Sequence, residues 1–144
     1  MKQQTAPFNY ETLVRYMLPK GMLDTFEVTN VKEECTGKYD ETNTEIRILH
    51  IYLDERDLRG ETWHDLNPNG FTEVRSFNDF PLREHKVALH VRRRRWLTEE
   101  GKSQLLDTPA LVADGTSYSV EFAAFLKEVF GYIPSDGPMC GAIL

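Results

Sequence analysis

The chain has 144 residues, 40% hydrophobic and 11% aromatic, with a formal net charge of -6 at pH 7. That length fits one domain able to bury about two-thirds of its unfolded surface. No stretch approaches the roughly 20 apolar residues of a membrane span, and Met1-Lys2-Gln3-Gln4-Thr5 lacks the apolar core of a signal peptide, so a cytoplasmic, reduced setting is expected.

Residues 1–7 read as a loose tail, with a single domain expected over residues 8–133. Asn9 can cap a first helix running to about Leu18, because Tyr10, Leu13, Val14 and Met17 recur at helical spacing. Pro19-Lys20-Gly21 ends it. A strand over Phe26–Glu34 is expected to pair with a second over Glu45–Leu53 through a polar hairpin loop, Thr36–Asn43. Asn67-Pro68-Asn69-Gly70 is a turn signal, followed by a short strand over Phe71–Phe77 and another turn at Asn78-Asp79-Phe80-Pro81. A basic strand then runs from about Lys86 to Trp96, Leu97–Gly101 turns, and Gln104–Leu106 can return as a strand. The last element is a helix over Val120–Phe130, capped by Ser119 and stopped by Gly131, with Phe122, Phe125, Leu126 and Val129 as a core-packing stripe. Residues 134–144 read as a second flexible tail. Together these elements predict an α+β fold: a small, mainly antiparallel sheet of hairpins flanked by an N-terminal and a C-terminal helix.

The charge is concentrated rather than spread. Residues 24–61 hold eleven acids against five lysines and arginines, whereas residues 81–96 hold six bases and only Glu84 as an acid. Within the basic segment stands Arg92-Arg93-Arg94-Arg95-Trp96. Alternation along a strand puts Arg92 and Arg94 on one face and Arg93 and Arg95 on the other, with same-face residues about 6.6 Å apart. Guanidinium forks match phosphate oxygens and base edges, and Trp96 offers a stacking or anchoring surface. Arg83, Lys86, Arg92, Arg93, Arg94, Arg95 and Trp96 are therefore the candidate DNA contacts. The alternative is that acidic neighbours neutralise the run and the arginines serve protein contacts.

Other chemistry finds little support. His50, His64, His85 and His90 show no helical i, i+4 pair, no Cys-x-x-Cys accompanies them, and Cys35 and Cys140 suggest no disulfide framework. Trp63-His64-Asp65 has no Gly-x-Ser-x-Gly nucleophile motif beside it, and no phosphate-loop motif occurs. The acids of residues 24–61 read as a solvated face. No active site, metal or cofactor is expected.

In order along residues 9–132, four blocks resemble the N-terminal region of ISAon-type insertion-sequence transposases. They are Leu18-Pro19-Lys20-Gly21-Met22 through Glu33-Glu34, Asp79-Phe80-Pro81-Leu82-Arg83, the basic strand with Arg93-Arg94-Arg95-Trp96, and Gly115-Thr116-Ser117-Tyr118-Ser119 leading into Glu121–Glu128. The resemblance implies a non-catalytic module that recognises element ends or assembles the transposase. Strand cleavage would belong to a separate catalytic part, absent from this chain. Implied partners are the terminal inverted repeats of the element, the downstream catalytic protein and a possible second copy. A fainter similarity to zinc-ribbon transposases places Thr98 and Gly101 where knuckle cysteines would stand, implying a metal-free ribbon packed around Trp96. The rival reading is a protein-interaction module without direct DNA contact.

Overall fold

Asn9 opens the first helix because its extended backbone leaves the side-chain oxygen free to accept from the Thr12 N–H at 2.9 Å, satisfying one of the unpaired donors of a helix start. In this computed structural model, which describes residues 9–134, that helix is α1, Tyr10–Met17. The expected apolar stripe does not sink as a unit: Val14 packs on the core, while Tyr10, Leu13 and Met17 are exposed. After Pro19 a single helical turn, α2 (Met22–Thr25), buries Met22 and Leu23. Four residues are too few for periodicity to signal. The two tails expected at 1–7 and 134–144 lie outside the described residues, apart from Pro134.

The strands follow as β1 (Phe26–Tyr39), β2 (Glu45–Glu55), β3 (Asn67–Phe71), β4 (Arg75–Leu82), β5 (His85–Arg92), β6 (Arg94–Leu97) and β7 (Ser103–Gln104), before α3 (Val120–Phe130). They form two sheets, β1-β2-β5-β4 and β3-β6-β7. The larger is two antiparallel hairpins, β1/β2 and β4/β5, joined through a parallel β2/β5 pair. The fold is thus α+β with mainly antiparallel pairing. The β1/β2 hairpin forms as expected, but its strands reach further into the loop. Asp40 stabilises the shortened turn by accepting from the Thr42 N–H, the Thr42 hydroxyl and the Thr44 N–H at 2.9, 2.7 and 3.0 Å.

Two expected turns are strands instead. Asn67-Pro68-Asn69-Gly70 lies in β3, which pairs with β6. As an edge strand of its sheet, β3 tolerates a residue with no N–H, and the register shift between Pro68 and Phe71 absorbs Gly70. Asn78-Asp79-Phe80-Pro81 lies within β4. There the segment is held from the side: the Asn78 main-chain N–H donates to Ser117 O, Ser119 N–H donates to Asn78 O, each at 2.8 Å, and Asp79 accepts from the Ser119 hydroxyl. Asn78 Oδ1, however, is buried without a partner. The chain actually reverses at Arg83–Glu84, with Arg83 in the left-handed region at φ 58°.

One face of the larger sheet carries the main core, where Phe26, Leu53, Phe77, Leu89 and Val91 meet α2 and Val14 of α1. A second cluster surrounds Trp96 with Leu58, Leu66 and Leu106. The third lies under α3, where Tyr118, Phe122, Ala123 and Leu126 are buried. Ser119 caps α3 through Phe122 N–H at 3.3 Å, and Gly131 closes it at φ 78°. Phe125 and Val129, expected in the buried stripe, are exposed, because α3 rests on β4 with its Phe122–Leu126 edge. Among the described residues no helix is long and apolar enough to cross a membrane.

Candidate nucleic-acid interface

The basic strand breaks at Arg93, whose main chain is tied to the neighbouring loop: Thr72 N–H donates to Arg93 O at 2.8 Å and Arg93 N–H donates to the Thr72 hydroxyl at 3.0 Å. Around this break the four arginines take different environments. The expected alternation holds, since Arg92 and Arg94 both lie over the Phe71 ring, at 4.4 and 5.0 Å from its centroid. Arg92 also forks onto Asp54 at 2.8 and 2.6 Å, and Arg94 Nε donates to the Glu55 carbonyl at 2.7 Å. Arg93 points the other way, donating to Glu55 Oε1 at 3.0 Å and to the Leu106 carbonyl. Arg95 is exposed, its Nε near the Ser103 hydroxyl at 3.4 Å.

The parallel register explains these pairs. It sets Asp54 opposite Arg92, so the acidic end of β2 meets the start of the arginine run. The expectation that the acids of residues 24–61 form a solvated face is therefore corrected for Asp54 and Glu55. Glu55 is 0% exposed, and burial pushes its carboxyl above the usual range while Arg93 and Arg94 pull it down.

The remaining candidates divide in the same way. Lys86 is buried, its Nζ has no hydrogen-bond partner, and burial depresses its pKa. Trp96 is 1% exposed and packed in the cluster described above, with the Arg59 guanidinium 4.6 Å from its ring. Both are removed from any contact surface, Trp96 serving as an internal anchor. Arg83 is exposed at the β4–β5 turn, away from the run.

An open positive surface nevertheless exists, and it includes an arginine the sequence did not indicate. Arg75 at the start of β4 joins Arg93 and Arg95 along a cleft of about 700 Å³, lined also by residues 103–105 and 108–111. Glu73 is the one carboxylate among the lining residues. Arg75 is exposed and in no ion pair among the described residues. No local pattern marks this lone base; only β4–β5 pairing, which sets Arg75 opposite Val91, brings it to the run.

The opposite face of the sheet carries a polar chain that sequence reasoning also missed. The Ser76 hydroxyl lies 2.6 Å from His90 Nδ1, His90 Nε2 lies 2.7 Å from His50 Nδ1, and His50 Nε2 lies 2.7 Å from Glu34 Oε1. These residues come from β4, β5, β2 and β1, so the chain crosses the whole sheet. With both imidazoles neutral one assignment satisfies every atom: Ser76 donates to His90, His90 to His50, and His50 to the carboxylate. Burial, then electrostatic interaction with neighbouring His50, holds the His90 pKa below its ordinary value. Tyr52 stacks on His90 at 4.7 Å. His85, on the other face as its odd spacing from His90 requires, meets Glu33 instead. Among the described residues no group of three or more His, Cys, Asp or Glu is arranged to hold a metal ion. Comparison of the chain with protein-family models, curated proteins and solved structures finds no match.

Proposed function

We propose that the chain is a non-catalytic DNA-binding and assembly module of an insertion-sequence transposase, working with a separate catalytic part. The observation that carries the DNA contact is the convergence of Arg75, Arg93 and Arg95 on one open cleft in a chain of net charge -6. A concentrated cationic surface on an acidic body favours a focused polyanion contact over general electrostatic adhesion. The ordered sequence blocks supply the transposase context. A metal-free counterpart of a zinc ribbon is the corresponding reading of the β3-β6-β7 sheet. It draws support from the Trp96 cluster and from the tight hairpin in which Thr98 N–H donates to Lys102 O at 2.8 Å. Stoichiometric zinc in the purified protein would overturn that part.

The test is a gel shift against the element's terminal inverted repeats beside an unrelated duplex, with and without the downstream catalytic protein. Retention of the repeats in either setting, weakened by Arg75→Ala with Arg95→Ala, supports the reading. Absence of any DNA retention in both settings rejects it.

A second reading, docking to protein alone, is favoured by a different surface. Leu13, Tyr16 and Met17 of α1 are exposed, and beside them Val14, Val28, Val31 and Leu82 line a wholly apolar hollow of about 180 Å³. The neighbouring β1 is an edge strand of 14 residues, a ready template for pairing with another chain. Co-purification with the catalytic protein in the absence of DNA, lost on Leu13→Asp, would establish it.

A further inference from the structure

We infer that the arginine cleft takes an unpaired DNA strand in preference to an intact duplex. The inference rests on the proposed DNA contact and names the form of DNA that the same site accepts.

Shape is the first argument. Duplex readers present a protruding helix or β-ribbon to a groove, because B-form DNA is itself a convex rod. Here the three arginines instead border a concavity of about 700 Å³, within the range of sites that enclose small ligands. A stacked duplex can touch only the rim of such a cleft. A strand with free bases can enter it.

Lining chemistry is the second. The lining combines these cations with apolar side chains: Leu105, Pro109 and Leu111 are accessible, while Phe77 and Val91 are buried behind them. Leu105 is 43% exposed although it borders the cleft. Apolar area beneath a cationic rim is the composition of single-strand grooves, where bases shed water against the wall while phosphates stay with the cations. A duplex buries its own base faces and gains nothing from that wall. Guanidinium planes add stacking surface for an unpaired base. Ser103 and Gln104, at the mouth beside Arg95, offer a hydroxyl and an amide to base edges.

The third argument is the state of the cations. Arg95 and Arg75 are exposed, so phosphate contact requires breaking no buried ion pair at either residue. Arg93 is held by Glu55 and Leu106, which fixes its position and leaves part of its fork for a ligand. Arg93 and Arg95 both line the cleft although the strand breaks between β5 and β6. The cleft therefore offers one anchored cation, Arg93, and two exposed ones, Arg75 and Arg95.

The experiment is fluorescence anisotropy with the full chain and three labelled DNAs sharing one sequence: a single-stranded 20-mer, its blunt duplex, and the duplex with a 3′ single-stranded extension. The single strand and the extended duplex are expected to bind at least tenfold more tightly than the blunt duplex. Three phosphate contacts give a log-log salt slope of about -2 for a single strand. Arg75→Ala with Arg95→Ala should weaken single-strand binding at least tenfold without moving the melting temperature, since both residues are exposed. Blunt duplex binding as tightly as the single strand would overturn the inference while leaving DNA contact intact, as would unchanged single-strand affinity in the double variant. Failure of all three DNAs to bind would remove the underlying reading as well.

Discussion

Arg93 and Glu55 form the contact on which the arginine segment is fastened: Nε donates to Oε1 at 3.0 Å, and the carboxylate it reaches is wholly buried. The same guanidinium holds the Leu106 carbonyl, so one side chain links the end of β2 to the segment beyond β7. Removing one member of a buried pair strands the other charge without solvent or partner. Arg93→Ala should cost about 3 kcal/mol at neutral pH by urea denaturation. Part of that loss should return as pH falls, because a buried carboxyl already raised by burial takes up a proton more readily in the folded state. Adding Glu55→Gln should relieve most of the cost; a double variant as unstable as the sum of the two single changes would refute the pairing as the cause.

Ser119 joins two roles that are usually separate. Its hydroxyl donates to Asp79 Oδ1 at 2.8 Å, and its oxygen accepts the Phe122 N–H that starts α3. Asp79 is buried, and burial pushes its carboxyl up while the serine pulls it down. Ser119→Ala thus loses a helix cap and leaves a buried carboxylate short of a donor. The expected loss is about 2 kcal/mol, read from the urea midpoint. Ser119→Thr, which keeps the hydroxyl, should recover much of it; a loss below about 0.5 kcal/mol in the alanine variant would show that water replaces the hydroxyl.

These two anchors also show what the sequence could and could not convey. The β1/β2 hairpin and α3 were legible because each is specified locally, by β-branched runs around a polar loop and by Ser119 and Gly131 at the helix ends. The parallel β2/β5 pair was not, since residues 38 apart carry no local sign of adjacency. That pairing decides the fate of the arginines: it brings Asp54 to Arg92 and Glu55 to Arg93. Asn67-Pro68-Asn69-Gly70 and Asn78-Asp79-Phe80-Pro81 have turn composition but lie in strands, because an edge position and the 117–119 segment supply what each lacks. At the candidate site the pattern of alternation was readable, and Arg95 is exposed beside the cleft. Arg75 was not legible, nor were Lys86 and Trp96 seen to be interior, as exposure is a property of the assembled core.

The Ser76–His90–His50–Glu34 chain makes stability depend on pH in a definite direction. A histidine whose folded pKa lies below its ordinary value of 6.5 takes up protons first in the unfolded state. Its contribution is therefore complete above about pH 6.5 and is lost as pH falls below it. Each missing proton steepens the loss by at most about 1.4 kcal/mol per pH unit. Glu33, held below its ordinary 4.5 chiefly by its bond to His85, adds a further loss only at lower pH. Urea midpoints of the wild type should drop between pH 7 and pH 5.5. In His90→Gln the drop should be smaller. Parallel curves for the two proteins would exclude His90 as the titrating group.

Lys86 gives the opposite kind of prediction, a gain from removing a charge. It lies on β5 with its ammonium buried and without a hydrogen-bond partner, a situation that penalises the charged form. Its folded pKa lies below the ordinary 10.5, so the native state is penalised once pH falls below about 10.5 and the unfolded chain takes up the proton first. Methionine keeps the length and removes the charge. Lys86→Met should raise stability by about 1–3 kcal/mol at pH 7, and the advantage should shrink as pH approaches 10. Because Lys86 does not line the arginine cleft, affinity for a labelled single strand should not change. A variant that gained stability yet lost DNA affinity would place Lys86 back among the contacts; one that lost stability would show that the ammonium is solvated in the native state.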